Sequence, residues 1–158
     1  MGVVIQAIHW IQWFSGGKFV EVAARQTAQG NRGHGELESS GVCLFRLSNS
    51  GAAMVSFNYF RPRSAPTHGE DRLRVAGEKG VVEVAEAEAT VCTNYAPLRR
   101  LAPDEPVSIF QEFMRHIETG APMRMSAEEA FALCELSLRA REAADTGASI
   151  RVGTQEGA

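Results

Sequence analysis

From Val3 to Phe14 apolar side chains recur at three- and four-residue steps: Val4, Ile8 and Ile11 make one stripe, and Ile5, His9, Gln12 and Trp13 a second. That period predicts a helix, and Ser15-Gly16-Gly17 ends it with residues that tolerate a left-handed turn. Lys18 to Thr27 alternates instead, and a period of two predicts a strand. Gln29 to Leu37 reads as a Gly-rich loop. Gly41 to Leu47 and Ala52 to Phe60 are β-rich runs joined by Ser48-Asn49-Ser50-Gly51, where Asn and Gly accept positive φ and favour a hairpin. Arg61 to Gly69, with two prolines, reads as a loop. Asp71 to Ala76 and Val81 to Ala85 flank Gly77-Glu78-Lys79-Gly80, a second hairpin, and a further strand is expected around Ala89 to Thr93.

Past a linker at Pro97 to Pro106 the period lengthens to about 3.6. Val107, Ile109, Phe110, Phe113, Met114 and Ile117 predict an amphipathic helix that Gly120 stops. Ser126-Ala127-Glu128-Glu129 is a capping box. It opens a helix to about Ala144, with Phe131, Leu133, Cys134 and Leu138 as apolar positions and Gly147 as the stop; Ser149 to Val152 adds a last edge strand. The layout predicts an α+β fold, an open and mostly antiparallel β-sheet with helices on one face. Alternation sets Val42, Leu44 and Arg46 against Cys43, Phe45 and Leu47. It likewise sets Met54, Ser56, Asn58 and Phe60 against Ala53, Val55, Phe57 and Tyr59. Both faces are partly apolar, so the face without helices is expected to serve dimerisation.

With 158 residues, 44% apolar and 22% charged, the chain is long enough for one sizeable core. Its formal charge of −3 comes from 19 acidic and 16 scattered basic residues. A nucleic-acid binder needs a basic stripe, so no nucleic-acid partner is expected. The apolar start has no Lys or Arg ahead of it, is interrupted by Gln6, His9 and Gln12, and is too short to span a bilayer. Neither a targeting segment nor a membrane partner is expected. Cys43, Cys92 and Cys134 are odd in number, widely spaced and set in apolar runs, which predicts buried, reduced thiols in a cytoplasmic protein. A helix beginning two residues after the initiator Met without a capping residue reads as a chain that starts mid-fold.

No GxGxxG, GxxxxGK[ST] or GxSxG motif is present, and Gly30-Asn31-Arg32-Gly33 lacks both a third glycine and a following helix. No cofactor site is expected in this chain. His9 is the most informative single residue. Sharing a helical surface with Ile5, Gln6, Gln12 and Trp13, it suits a proton donor or acceptor facing a cavity, and the plainer alternative is a structural His on a half-exposed helix. His34-Gly35-Glu36 and His68-Gly69-Glu70-Asp71, with Glu38, contain metal-ligating types. They place no two imidazoles on one helical face, and no metal site is expected. His116 suits an exposed position near a helix C-terminus. Arg61, Arg63, Arg72 and Arg74 fit either an anionic substrate or, more simply, a solvated strand face. Trp10 and Trp13 read as interface or core aromatics.

The run Gln6-Ala7-Ile8-His9-Trp10-Ile11-Gln12 resembles the QAxHxID-type helix of the Gfo/Idh/MocA family, the glucose-fructose oxidoreductase and inositol dehydrogenase-like enzymes. Phe45-Arg46-Leu47-Ser48-Asn49-Ser50-Gly51-Ala52 and the segment Arg72 to Val84 are similar to the family's C-terminal domain. So is the tail, Met125-Ser126-Ala127-Glu128-Glu129-Ala130 followed by Ala143-Ala144-Asp145-Thr146-Gly147. The four matches stand in the family's order and span essentially the whole chain.

The resemblance implies an NAD(P)-dependent oxidoreductase acting on a sugar, polyol or related hydroxyl compound. Residues 1–152 would form its substrate-binding and dimerisation domain, first strand missing, and 153–158 a disordered tail. It implies NAD or NADP in the full-length enzyme, a Rossmann domain as partner and a homo-oligomer formed through the open sheet. It makes His9 a catalytic or substrate-orienting residue, with Gln6, Gln12 and Trp13 substrate-binding. Against the family pattern, the Rossmann domain and its Glu-Lys-Pro lysine are absent, Ile5 stands where an acid or amide is usual, and Gln12 replaces an acid. The chain alone is therefore expected to be inactive. The alternative is a non-enzymatic dimeric scaffold or small-ligand-binding module derived from that family.

Overall fold

The computed structural model describes residues 4–31, 33–67, 69–85, 88–102 and 104–153. In chain order its elements are α1 (Val4–Ser15), β1 (Phe19–Thr27), β2 (Ser40–Leu47), β3 (Ala52–Asn58), β4 (Arg72–Gly77), β5 (Gly80–Ala85), β6 (Glu88–Thr93), β7 (Ala96–Leu101), α2 (Ile109–Thr119), α3 (Ala127–Thr146) and β8 (Ile150–Arg151). The α+β expectation holds. The strands divide between two open, wholly antiparallel sheets, ordered β3-β2-β1-β8 and β4-β5-β6-β7. The first sheet belongs to a compact unit of Met1–Phe60 with Met125–Ala158, the second to a unit of Arg61–Arg124. Of the expected 153–158 tail, residues 154–158 lie outside the described residues.

In the first unit, α3 is bounded by its own sequence. The Ser126 hydroxyl accepts from the Glu129 amide at 3.1 Å, and the Ser126 amide donates to Glu129 Oε2 at 2.7 Å, closing the capping box. Such a cap contributes about 1 kcal/mol. At the other end Gly147 takes φ 71°, a left-handed position where a Cβ is strained, and its amide donates to the Ala143 carbonyl at 3.0 Å. Between these stops α3 buries Leu133, Leu136, Ala140 and Ala143, spaced by three and four residues, against β1. The sequence expectation of Phe131, Leu133, Cys134 and Leu138 holds only for Leu133. Phe131 is 75% and Leu138 67% exposed, and Cys134 is exposed. The buried stripe uses alanines, which let the helix approach the sheet closely, and a reading weighted to large side chains passes over them.

The inner face of the first sheet presents Val22, Ala24, Cys43, Phe45 and Val55 to this layer, and α1 adds Val4 and Ile8, both fully buried. Phe19 meets Phe45 edge to face at 5.2 Å. Two polar contacts tie the end of α3 to β1. The Arg25 guanidinium donates to the Gly147 carbonyl at 2.9 Å, and the Gln26 amide donates to Asp145 Oδ1 at 2.7 Å. Burial pushes the Cys43 thiol up to about 11, because the thiolate has no water to solvate it there. The expectation of buried thiols holds for Cys43 alone, since Cys92 is also exposed; all three cysteines are free.

In the second unit the register Val75↔Val82↔Val91 lines one face with Leu73, Val75, Val82, Val84, Ala89, Val91 and Leu101, interrupted by Arg99 opposite Val91. The opposite face carries the ion pairs Arg74–Glu83 and Arg100–Glu88, each at 2.9 Å. No described residue between 61 and 124 is fully buried. Of the linker expected over Pro97 to Pro106, Pro97 to Leu101 belong to β7, and residues 102 and 104–106 lie in neither helix nor strand. Thr93 Oγ1 accepts from the amides of Tyr95 and Ala96 at 3.3 and 3.0 Å, turning the chain tightly from β6. Pro97 is tolerated because β7 is the outer strand, where one row of backbone groups has no ladder to join. Helix α2 begins at Ile109 after its cap Ser108, so Val107 precedes it.

Ile8→Ala is expected to destabilise the chain by about 2–5 kcal/mol, because it empties a fully enclosed site. Leu44→Ala, on the open sheet face, should shift stability by less than about 1 kcal/mol. Equilibrium urea unfolding of the two variants checks the contrast.

Candidate functional site

The site expected from the sequence lies on α1, whose twelve residues include no Asp, Glu, Lys or Arg. Each residue turns the helix about 100°. With Val4 and Ile8 inward, Gln6, His9 and Trp13 fall on the opposite side and Gln12 on the flank beside Ile5. Gln6 is exposed, His9 and Gln12 are half-buried, and Trp13 is 65% exposed. The His9 and Trp13 rings, one turn apart, stack with centroids 6.3 Å apart and planes 11° from parallel. Trp13 in turn stacks on Phe14 at 5.5 Å. Among the described residues none hydrogen-bonds the His9 imidazole or the Gln6 and Gln12 amides. Ile5 packs against the core cluster, so the position where the resembled family carries a polar group is given to packing here.

Sequence reasoning missed two contributors. Phe14 extends the aromatic stack, and its only signal was its place beside Trp13. Asn49 appeared only as a turn residue, yet it fastens the site helix. Its Nδ2 donates to the Ser15 carbonyl at 3.0 Å while its Oδ1 accepts from the Gly51 amide at 3.1 Å. A Cβ on Gly17 would stand 2.8 Å from Asn49 Oδ1, so a larger residue there would push the Asn49 amide out of its place. Ser48 completes the clasp, its hydroxyl accepting from the Lys18 amide at 3.0 Å and its amide donating to the Lys18 carbonyl at 2.8 Å.

The other candidates are placed elsewhere. His34 is exposed in a turn, and His68 lies outside the described residues. Among the described residues no group of three or more His, Cys, Asp or Glu could hold a metal ion. His116 is exposed, its Nδ1 2.7 Å from the Ala121 carbonyl. Arg61 and Arg72 both pair with Glu70, and Arg72 foremost, with Arg61, holds that carboxyl below the usual carboxylate range. Arg74 pairs with Glu83, and Arg63 is exposed, so the four arginines meet two carboxylates.

The outer face of the first sheet shows Ala23, Val42, Leu44 and Met54, with Leu44 55% and Met54 67% exposed. Two shallow depressions there, about 180 and 260 Å³, involve no residue of α1. Glu21 and Arg46 pair across this face at 3.0 Å, and the guanidinium holds the Glu21 carboxyl below its ordinary value. Among the described residues no helix is long and apolar enough to cross a membrane.

Comparison with solved structures adds a different kind of observation. A protein from Thermotoga maritima described as an oxidoreductase superposes with a TM-score of 0.90 at 37% identity, over 94% of this chain and 45% of that one. The chain spans about half the length of the oxidoreductases it matches. An aldose-aldose oxidoreductase from Caulobacter crescentus, solved with glycerol, matches at TM-score 0.78 and 19% identity over 94% of this chain and 45% of that one. The WlbA dehydrogenase from Bordetella pertussis, solved with NADH and UDP-GlcNAcA, matches at 0.72 and 16% over 98% and 45%. These two likenesses concern the fold alone. No protein-family model matches the sequence, and no curated protein matches it.

Asn49→Asp keeps the acceptor that serves Gly51 and removes the donor that serves Ser15. It is expected to speed amide hydrogen exchange at the C-terminal end of α1 and to cost about 1 kcal/mol, leaving the β2–β3 ladder protected. Residue-resolved hydrogen exchange measures both.

Proposed function

We propose that this chain is the substrate-binding half, equivalent to the C-terminal domain, of an NAD(P)-dependent oxidoreductase of the Gfo/Idh/MocA type. Its substrate is a sugar, polyol or related hydroxyl compound. The observation that carries the reading is the outward face of α1, where an imidazole free of hydrogen bonds, the Gln6 amide and a flat aromatic surface stand together, with the Gln12 amide on the flank and no charged residue on the helix. A face of that kind favours a neutral ligand rich in hydroxyls over an ionic one.

On this reading Trp13 stacks on the ligand's carbon face, Gln6 and Gln12 hydrogen-bond neighbouring hydroxyls, and His9 takes the proton of the hydroxyl being oxidised. A dinucleotide does not fit the described residues of this chain. All strand pairs are antiparallel, and no Gly-rich turn leads from a strand into a helix. Redox chemistry therefore belongs to the polypeptide that fills the other half of the related structures. Residues 1–152 are assigned to substrate binding and to dimerisation through the face bearing Leu44 and Met54. The protein is assigned to the cytoplasm. Ile5, packed into the core, favours the rival scaffold, which would give no turnover with any cofactor-binding half.

The isolated chain should bind no NADH in calorimetry and show no dehydrogenase activity. Once joined to a cofactor-binding half, His9→Ala should lower kcat by about 10²–10⁴-fold with KM little changed. Full activity of that variant would remove His9 from the reaction. Leu44→Asp should weaken self-association at least tenfold in sedimentation equilibrium, whereas unchanged association would exclude that face.

A further inference from the structure

The last turn of α1 is held differently from the rest of the helix. Val4 and Ile8 are buried, and Ile5, Ala7 and Ile11 pack against the same core. Beyond Ile11 neither Trp13 nor Phe14 does so, and no basic side chain stands in the last turn to offset the helix dipole. The final carbonyls of a helix have no partner within it, so such an end frays unless donors come from outside. The β2–β3 turn supplies one, since Asn49 Nδ2 donates to the Ser15 carbonyl at 3.0 Å. Ser48 holds that turn in place, its hydroxyl accepting from the Lys18 amide at 3.0 Å and its amide donating to the Lys18 carbonyl at 2.8 Å. All of these residues lie within the one unit of Met1–Phe60 with Met125–Ala158.

We infer that Asn49 is a positioning residue, which acts through the last turn of α1 to place Gln12 and Trp13, the substrate-binding end of the helix. The inference rests on the function proposed above. Two further observations support it. Ser50, beside Asn49, takes φ 65°, the one left-handed position held by a non-glycine among the described residues. That conformation is strained for an L side chain and persists where surrounding contacts hold it; here it belongs to the turn that carries Asn49 to the helix end. Gly17 is buried, and a Cβ there would meet Asn49 Oδ1 and Cγ at 2.8 and 2.9 Å, so the amide fills the space beside the helix end. His9 is anchored otherwise, by the fully buried Ile8 next to it. Packing holds the imidazole, one amide holds the binding residues, and the stack of His9 on Trp13 joins the two.

The test breaks the clasp from both sides. Asn49→Asp removes the donor to Ser15, and Gly17→Ala keeps Asn49 but displaces its amide. Ser126→Ala, which opens the cap of α3, controls for a general loss of stability. Proton NMR of the full chain reads the His9 ring signals, which the neighbouring indole displaces by its ring current; Trp13→Leu gives their unstacked position. Both clasp variants should move the signals at least halfway to that position, and Ser126→Ala should leave them at the parent value. In the chain joined to a cofactor-binding half, supplied with D-glucose and with myo-inositol, both clasp variants should raise KM about 3–10-fold with kcat changed less than about twofold. That split is the reverse of the one expected for His9→Ala. Ring signals unmoved in the clasp variants, or moved equally by Ser126→Ala, overturn the inference and leave the proposed function standing, as does an unchanged KM. No turnover of either compound by the joined parent removes the proposed function and the positioning role with it.

Discussion

The burial of Leu133, Leu136, Ala140 and Ala143 of α3 against β1 positions everything in the first unit that has chemical interest. Because α3 covers the inner face of β3-β2-β1-β8, α1 finds its own cover between α3 and β3, through Val4 and Ile8. That choice of inward residues turns Gln6, His9 and Trp13 outward. Fully burying an Ile or Val contributes about 1.5–3 kcal/mol, more than any hydrogen bond available to a surface imidazole. The candidate site is thus a by-product of packing. His9 is accessible because its neighbours on the same helix are not.

The second unit obeys the same physics with the opposite outcome. Its hairpins close through local turns and ladders, and its sheet separates an apolar face from a face of ion pairs. Exposed pairs of that kind contribute little, at most about 1 kcal/mol each. With no fully buried side chain among its described residues, the unit has register and surface but no enclosed core.

Local chemistry was the most legible part of the sequence. The capping box at Ser126, the stops at Gly120 and Gly147, and the hairpins at Asn49 and at Gly77 to Gly80 all depend on residues within one turn of each other. The apolar stripe of α1 was equally plain. Strand β7 was not, because proline ordinarily breaks a strand and only its place at a sheet edge excuses it. The division into two sheets was hidden as well, since alternation along a strand says which faces it has and not which strand it joins.

By itself, then, the sequence determined the helices and every strand but β7 to within about two residues, the apolar stripe of α1, and that His9, Gln6, Gln12 and Trp13 share one helix. Only the tertiary structure decided that α3 buries its alanines and exposes Phe131 and Leu138, that Asn49 fastens the end of the site helix, and that Cys43 alone of the thiols is enclosed. The reason is range. Caps, turns and periodicity are set by neighbours a few residues away, whereas burial is a competition among surfaces brought together from distant parts of the chain.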